Sequence, residues 1–308
     1  MSVRLTWPPV NAALADSIKI YRSTTPIPEN NLPAAFATLA GNAELWDDTA
    51  IARNTVMYYR VGQTRGSEEL VSPQLIYGHY PDSGPGPQKL LRGDWNLGYF
   101  GFVPIAQFFS ASSYLSALNL SASLGTTQAD WVTGWHKFIH KGKIVYIPNN
   151  VVVTNTSWAQ LYNAGLVFGM DNTGVAPYPI TQNLNVPALV NQNKQVVFGA
   201  YTFRVRLPNY SNKALDQYVT SDADKVDSEW NQLMTRVGLT TTSPISPSDK
   251  WNDTAPPTIL FASMNFTSGG TNLEFLANNW DASTGRVITT TLNNPLTTNY
   301  LPVLELIL

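Results

Sequence analysis

The chain has 308 residues, 44% of them hydrophobic and only 13% charged, with a net charge of −2. That length allows two domains with a sizeable core, and the near-neutral balance excludes a nucleic-acid partner, which needs a basic face to release counterions. There is no cysteine, which excludes disulfides and thiolate metal centres.

The charged share is about half the usual one, and Asn, Thr and Ser replace it, especially after Asn149. A polar, weakly charged surface suits packed assemblies, whose interface centres are depleted in charge. It equally suits a β-rich domain with many turns. No run of about 18 apolar residues occurs, so no membrane insertion is expected. The stretch MSVRLTWPPV lacks the apolar core of a signal peptide. The expectation is synthesis in the cytoplasm.

Val3, Leu5 and Trp7 alternate with polar neighbours until Pro8 and Pro9. Ser17 to Tyr21 alternates again, with Ile18 and Ile20 facing one way. Ala35 to Leu39 reads as a strand or a short helical turn. Glu44 to Trp46 leads into the turn signal Asp47-Asp48-Thr49. Val56 to Val61 is a further strand, Arg65-Gly66 a hairpin turn, and Glu69 to Leu75 a strand broken by Pro73. Short strands at this spacing point to a β-sandwich over residues 1–78.

The pattern of Leu5-Thr6-Trp7, Ile18-Lys19-Ile20-Tyr21-Arg22-Ser23, Tyr58-Tyr59-Arg60-Val61 and Ser72-Pro73 resembles a fibronectin type III domain. The resemblance implies that Trp7 and Tyr59 belong to the core. It implies a fold rather than an activity.

HYPDSGPGP, His79 to Pro87, carries three prolines and two glycines, and residues 79–89 read as a linker. Residues 90–308 then form a larger mixed, mostly β domain. Trp95, Tyr99, Phe100 and Phe102 cluster around glycines, either as a sugar-stacking platform or as a strand edge packed on its own domain. Ile105 to Leu120 fits an amphipathic helix or a strand. Trp131, Trp135 and Phe138 sit four and three residues apart, which predicts a short helix ended by Gly142. Lys143 to Ile147 is a strand closed by Pro148, and Ser157 caps a helix through Trp158, Leu161 and Tyr162.

Asp171 to Gln195 reads as a long loop, and Gln195 to Leu207 as a strand. Asp222 to Val237 predicts a helix with Trp230, Leu233, Met234 and Val237 on one stripe. Thr240 to Pro257 is a polar loop containing Trp251. Ile259 to Phe266, Leu273 to Phe275, Arg286 to Thr291 and Leu301 to Leu308 read as strands. The last, LPVLELIL, is apolar except for Glu305, which predicts pairing in a sheet or burial against a neighbouring subunit. The expected fold class is therefore mainly β with a few helices (α+β).

Several of these pieces, taken in order, resemble a domain of virion structural proteins of tailed bacteriophages. They are Trp135-x-x-Phe138 with Gly142-Lys143 and Ile147-Pro148, Ser157-Trp158-x-x-Leu161 with Gly169, Ser228-Glu229-Trp230-Asn231-x-Leu233-Met234, and Pro302-Val303-Leu304-Glu305-Leu306. The resemblance implies a place in a virion (tail, baseplate, fibre or capsid decoration) and carries no catalytic residues. Its expected partners are other virion proteins and copies of the chain itself.

Reaction chemistry finds little footing. His136 and His140 would share a helical face, but a zinc peptidase needs Glu after the first histidine, where Lys137 stands. No metal or other cofactor is expected. Asp130, Asp171, Asp224, Asp227, Glu229 and Asp253 are the carboxylates available to a glycosidase. Asp224, Asp227 and Glu229, however, fall at a predicted helix start, where acids stabilise the dipole. No G-x-S-x-G elbow occurs, and Gly84-Pro85-Gly86-Pro87 lacks the N–H donors of a phosphate loop. The expectation is a non-enzymatic structural protein. The alternative is an adhesin that stacks host surface glycan on Trp95, Tyr99, Phe100 and Trp251.

Overall fold

The computed structural model describes residues 3–7, 15–52, 54–120, 124–175, 188–215, 217, 222–224, 227–237, 258–266, 273–279, 287–291 and 299–307. The fold is mainly β with a few short helices. It divides into two compact units. The first is Met1–Ser83 with Gly93–Gly98 and Ile139–Lys143, and the second is Gly84–Arg92 with Tyr99–Phe138 and Ile144–Leu308.

In the first unit, Val3–Thr6 pairs antiparallel with Leu45–Asp48 as a two-stranded sheet. A second sheet runs in the order Ala37–Ala40, Ser17–Ser23, Thr55–Arg65, Glu68–Val71, and Leu75–His79 also pairs with Thr55–Arg65. One long strand serves both partners because Tyr59 faces Leu75 while Gly62 faces Val71. Alternation puts Val3, Leu5, Ile18, Ile20, Met57, Tyr59, Val61 and Tyr77 into one core, with Trp7 and Trp46 packed against it. Asp48 joins the sheets. Its buried carboxylate accepts from Arg22 Nη1 at 2.9 Å and from the Tyr59 hydroxyl at 2.6 Å.

Residues 93–98 and 139–143 belong to this first unit, outside the 1–78 stretch read from sequence. The Gly78 N–H donates to Trp95 O at 3.3 Å, and the Lys141 N–H to Asn96 O at 2.7 Å. Lys141 and Gly142, both at positive φ (49° and 74°), form the turn between Gly134–His140 and Lys143–Pro148.

The second unit is built on a seven-stranded sheet. Its order is Gln195–Phe198, Tyr201–Arg206, Val303–Ile307, Lys143–Pro148, Gly134–His140, Leu97–Pro104, Arg92–Gly93. Val303–Ile307 runs antiparallel to both of its neighbours, so the LPVLELIL segment sits inside the sheet. Three more strands, Thr258–Phe266, Leu273–Asn279 and Val287–Thr291, form an antiparallel sheet of their own. On one face of the main sheet Phe108 is an aromatic hub. Its ring centroid lies 4.8–5.4 Å from those of Tyr146, Phe198, Phe203 and Trp135.

The helix expected through Trp131, Trp135 and Phe138 is instead the strand Gly134–His140, and every residue in it is buried. Trp135 packs on Phe108 and Tyr114, whereas Phe138 packs on Tyr99. A strand buried on both faces has no polar alternation, so the three-residue spacing of Trp135 and Phe138 mimics a helix, while Trp131 lies outside the strand and is exposed. Ile105 to Leu120 resolves into the helix Ala111–Ala117, with Ser110 and Ser113 forming a capping box. The helix at Trp158–Asn163 is capped by Ser157 and Gln160, as its sequence predicts.

Gln195 to Leu207 is a hairpin rather than one strand, turning at Gly199 with φ +58°. Asp222 to Val237 is not one continuous α-helix. A 3₁₀ turn, Asp222–Asp224, and a π-helical segment, Asn231–Val237, lie within it. Trp230, Leu233 and Met234 are buried as the stripe predicts. Val237's side chain lies outside the described set, as does the Thr240 to Pro257 loop.

Candidate functional site

Two of the rings expected to stack on sugar are closed to it. Tyr99 and Phe100 are 1% and 0% exposed. They point to opposite sides of their strand, Tyr99 onto Phe138 and Phe100 toward the Lys137 ammonium. Neither ring has a face open to a ligand, which removes both from the stacking set. Trp95 is half-buried, set edge-on to Tyr80 and packed against the first unit's core. Trp251 lies outside the described residues. The apolar neighbours that made this stretch resemble a platform are core contacts of two sheet faces.

His136 and His140 are both buried in the strand Gly134–His140. The His136 ring packs among Phe102, Phe138 and Tyr99, with Nδ1 3.1 Å from the Tyr99 hydroxyl. Among the described residues no group of three or more His, Cys, Asp or Glu is placed to hold a metal ion.

Of the candidate carboxylates, Asp224 and Glu229 fall into ion pairs. Asp224 lies 3.0 Å from Lys213 Nζ, and Asp171 accepts from Asn191 Nδ2 at 3.0 Å. Asp130 and Asp227 are exposed, and Asp253 is outside the described residues. Glu229 belongs to a buried network. Arg206 Nη1 donates to Glu229 Oε2 at 2.7 Å and Nη2 to Oε1 at 2.5 Å, a bidentate fork. Arg206 Nε reaches Glu305 at 3.4 Å, and Arg204 Nη1 lies 3.5 Å from the same carboxylate. Burial pulls the Arg206 pKa down, but Glu229 and Glu305 outweigh it and hold it above its ordinary value. Glu229 also accepts from the Asn209 N–H at 3.1 Å.

In chain order Glu305 is a lone acid in an apolar segment. It becomes a network member because Arg204 lies directly opposite it across two strands. Only pairing register reveals this. The alternation Tyr-Thr-Phe-Arg-Val-Arg over Tyr201–Arg206 was the available signal, since it puts both arginines on one face.

Lys137 is a second buried cation. It is fully buried. Its Nζ donates to Pro87 O at 2.8 Å and to Gly84 O at 3.1 Å, and lies 5.0 Å from the Phe100 ring centroid. The Tyr146 hydroxyl donates to Pro85 O at 2.9 Å, and Gln88 Nε2 to Gly84 O at 2.7 Å. Residues 84–88 of the Pro/Gly stretch are thus held at several points along their backbone, unlike a freely solvated linker. Gly86, at φ +82°, passes so close to Val103 that an added Cβ would lie 2.4 Å from Cγ2.

Some exposed apolar side chains lie on sheet edges. Leu70 is 72% and Val197 59% exposed, and both lie on edge strands. Comparison of the chain with family models, characterised proteins and solved structures finds no match. Among the described residues no helix is long and apolar enough to cross a membrane.

Proposed function

We propose that the protein is a non-enzymatic structural component of a tailed-phage virion and acts by protein–protein assembly. The first unit is a fibronectin type III-like module, and the second carries the virion-type domain. The observation that carries this reading is the division of labour among the side chains. The residues of the virion-type pattern (Trp135, Phe138, Ile147, Trp158, Leu161, Trp230, Leu233, Met234, Val303 and Leu304) are all buried. Three exposed apolar side chains, Leu45, Leu70 and Val197, instead sit on edge strands, where a neighbouring chain can add strands. Tyr59 is fully buried, and Trp7 packs on the same core while its Nε1 donates to Ala43 O at 2.7 Å, consistent with the fibronectin-like reading of the first unit.

The test is to quantify the protein in purified particles of its source and to titrate purified protein onto particles that lack it. The proposal expects a fixed copy number per particle and saturable rebinding. A protein absent from particles and unable to bind them sinks it. Specific retention on host surface glycan would then revive the adhesin reading.

A further inference from the structure

The seven-stranded sheet of the second unit ends in Gln195–Phe198, which pairs on one side with Tyr201–Arg206. The ladder's phase follows from one bond: the Val205 N–H donates to Lys194 O at 2.9 Å. In an antiparallel pair, hydrogen-bonded positions alternate with positions whose N–H and C=O point away. Lys194, Val196 and Phe198 therefore face the hairpin partner. Gln195 and Val197 turn their backbone donors and acceptors to the outer edge. Among the described residues no group pairs with them there. Both side chains are exposed.

Edge strands that avoid association carry charge, proline or a bulge. Gln195-Val196-Val197-Phe198 carries none of these. The first unit's edge strand Glu68–Val71 would set glutamates against a neighbour, and Ala37–Ala40 exposes only Thr38 and Ala40.

We infer that this edge pairs antiparallel with the same strand of a second copy, across a two-fold axis at Val196. Backbone phase selects the register. Outward-facing residues must meet outward-facing residues, so Gln195 lies opposite Val197 of the other copy and Val196 opposite its own equivalent. This makes four backbone N–H to C=O bonds and joins the two main sheets edge to edge. The exposed Val197 is covered by the aliphatic part of Gln195. Lys194, the nearest charge, falls opposite Phe198 rather than another lysine. The contact is isologous and closes at two copies. A few strand residues cover less than a standard interface, so the dimer is weak in dilute solution and strengthens where copies are held together. The inference concerns the isolated chain and stands or falls without the virion reading.

The experiment is sedimentation of the full chain over a wide concentration range, with three variants. Val197→Pro removes a donor that the hairpin does not use, so the expected result is at least a tenfold loss of association with an unchanged melting profile. Val196→Cys introduces the protein's first cysteine. On mild oxidation it should give a disulfide-linked dimer, because opposed non-hydrogen-bonded residues sit about 4.5 Å apart at Cα. Val197→Cys, displaced from the axis, should cross-link much less. Should Val197→Pro fail to fold, the cysteine pair decides alone. A chain still monomeric at about 1 mM, the weak end of specific association, overturns the inference. So does equal or absent cross-linking of the two cysteine variants, or a folded Val197→Pro variant that associates like the parent.

Discussion

Tyr59 donates its hydroxyl proton to Asp48 Oδ2 at 2.6 Å, tying the five-stranded sheet of the first unit to its two-stranded partner. The Arg22 guanidinium completes the site, with Nη1 2.9 Å from each carboxylate oxygen. Asp48 is therefore a buried charge satisfied from the facing sheet. Asp48→Ala leaves Arg22 and the hydroxyl without their acceptor, and should cost about 3–5 kcal/mol in urea unfolding. Tyr59→Phe removes one charge-assisted bond and should cost about 1.5–3 kcal/mol. An Asp48→Ala cost within the ordinary surface range of about 0.5 kcal/mol would show that the clamp contributes nothing.

The same unit should weaken in alkali. Burial, then the hydrogen bond to Glu69, pushes the Tyr21 hydroxyl up to about 12. Burial and nearby carboxylates hold Tyr59 and Tyr77 higher still. An unfolded tyrosine ionises near pH 10, so the folded state keeps these protons more tightly. That stabilisation is complete below about pH 10 and declines as pH rises from there towards the folded values. Unfolding midpoints should be flat from pH 8 to 9.5 and then fall. Tyr21→Phe should flatten part of the decline between about pH 10 and 12. An identical decline in that variant would remove Tyr21 as a cause.

Lys137 holds the Gly84–Gln88 segment through the carbonyls of Gly84 and Pro87. Lys137→Ala deletes both bonds and opens a void beneath Phe100. A loss of about 2–4 kcal/mol is expected, with new protease cleavage at residues 84–88. Gly86→Ala should reproduce the cleavage, because its Cβ would strike Val103 and its φ is +82°. Resistance to protease in both variants would mean that other contacts hold the segment.

Removing one side of the Arg206–Glu229 fork should be costly. Glu229→Ala leaves a buried guanidinium with only longer contacts, to the Glu305 carboxylate and the Leu207 carbonyl, and about 3–5 kcal/mol is expected in thermal or urea unfolding. An Arg206→Met, Glu229→Met double variant removes both charges together and should recover part of that loss. If the double variant is no better than the sum of the single changes, the two side chains are not coupled.

Much of this architecture is legible along the chain. Strand alternation at Val3–Leu5, Ile18–Ile20 and Val56–Val61, the Ser157 cap and the turn glycines Gly66 and Gly142 are local properties, readable from a few neighbours. Gly142 shows the limit. Its local sequence reads as the end of a helix, whereas it turns a hairpin at positive φ. Trp135 and Phe138 pack on opposite faces of one strand, and their spacing cannot distinguish that from one helical stripe. The burial of Tyr99 and Phe100, the carbonyl cage of Lys137 and the meeting of Glu305 with Arg204 and Arg206 depend on pairing between distant segments. Sequence by itself determined which residues prefer strands, turns and caps, because those preferences are set by backbone sterics and side-chain branching. Only the tertiary structure decided which apolar residues became core and which charges met. Register brings together residues about a hundred positions apart, and a shift of one residue would turn each of them to the other face.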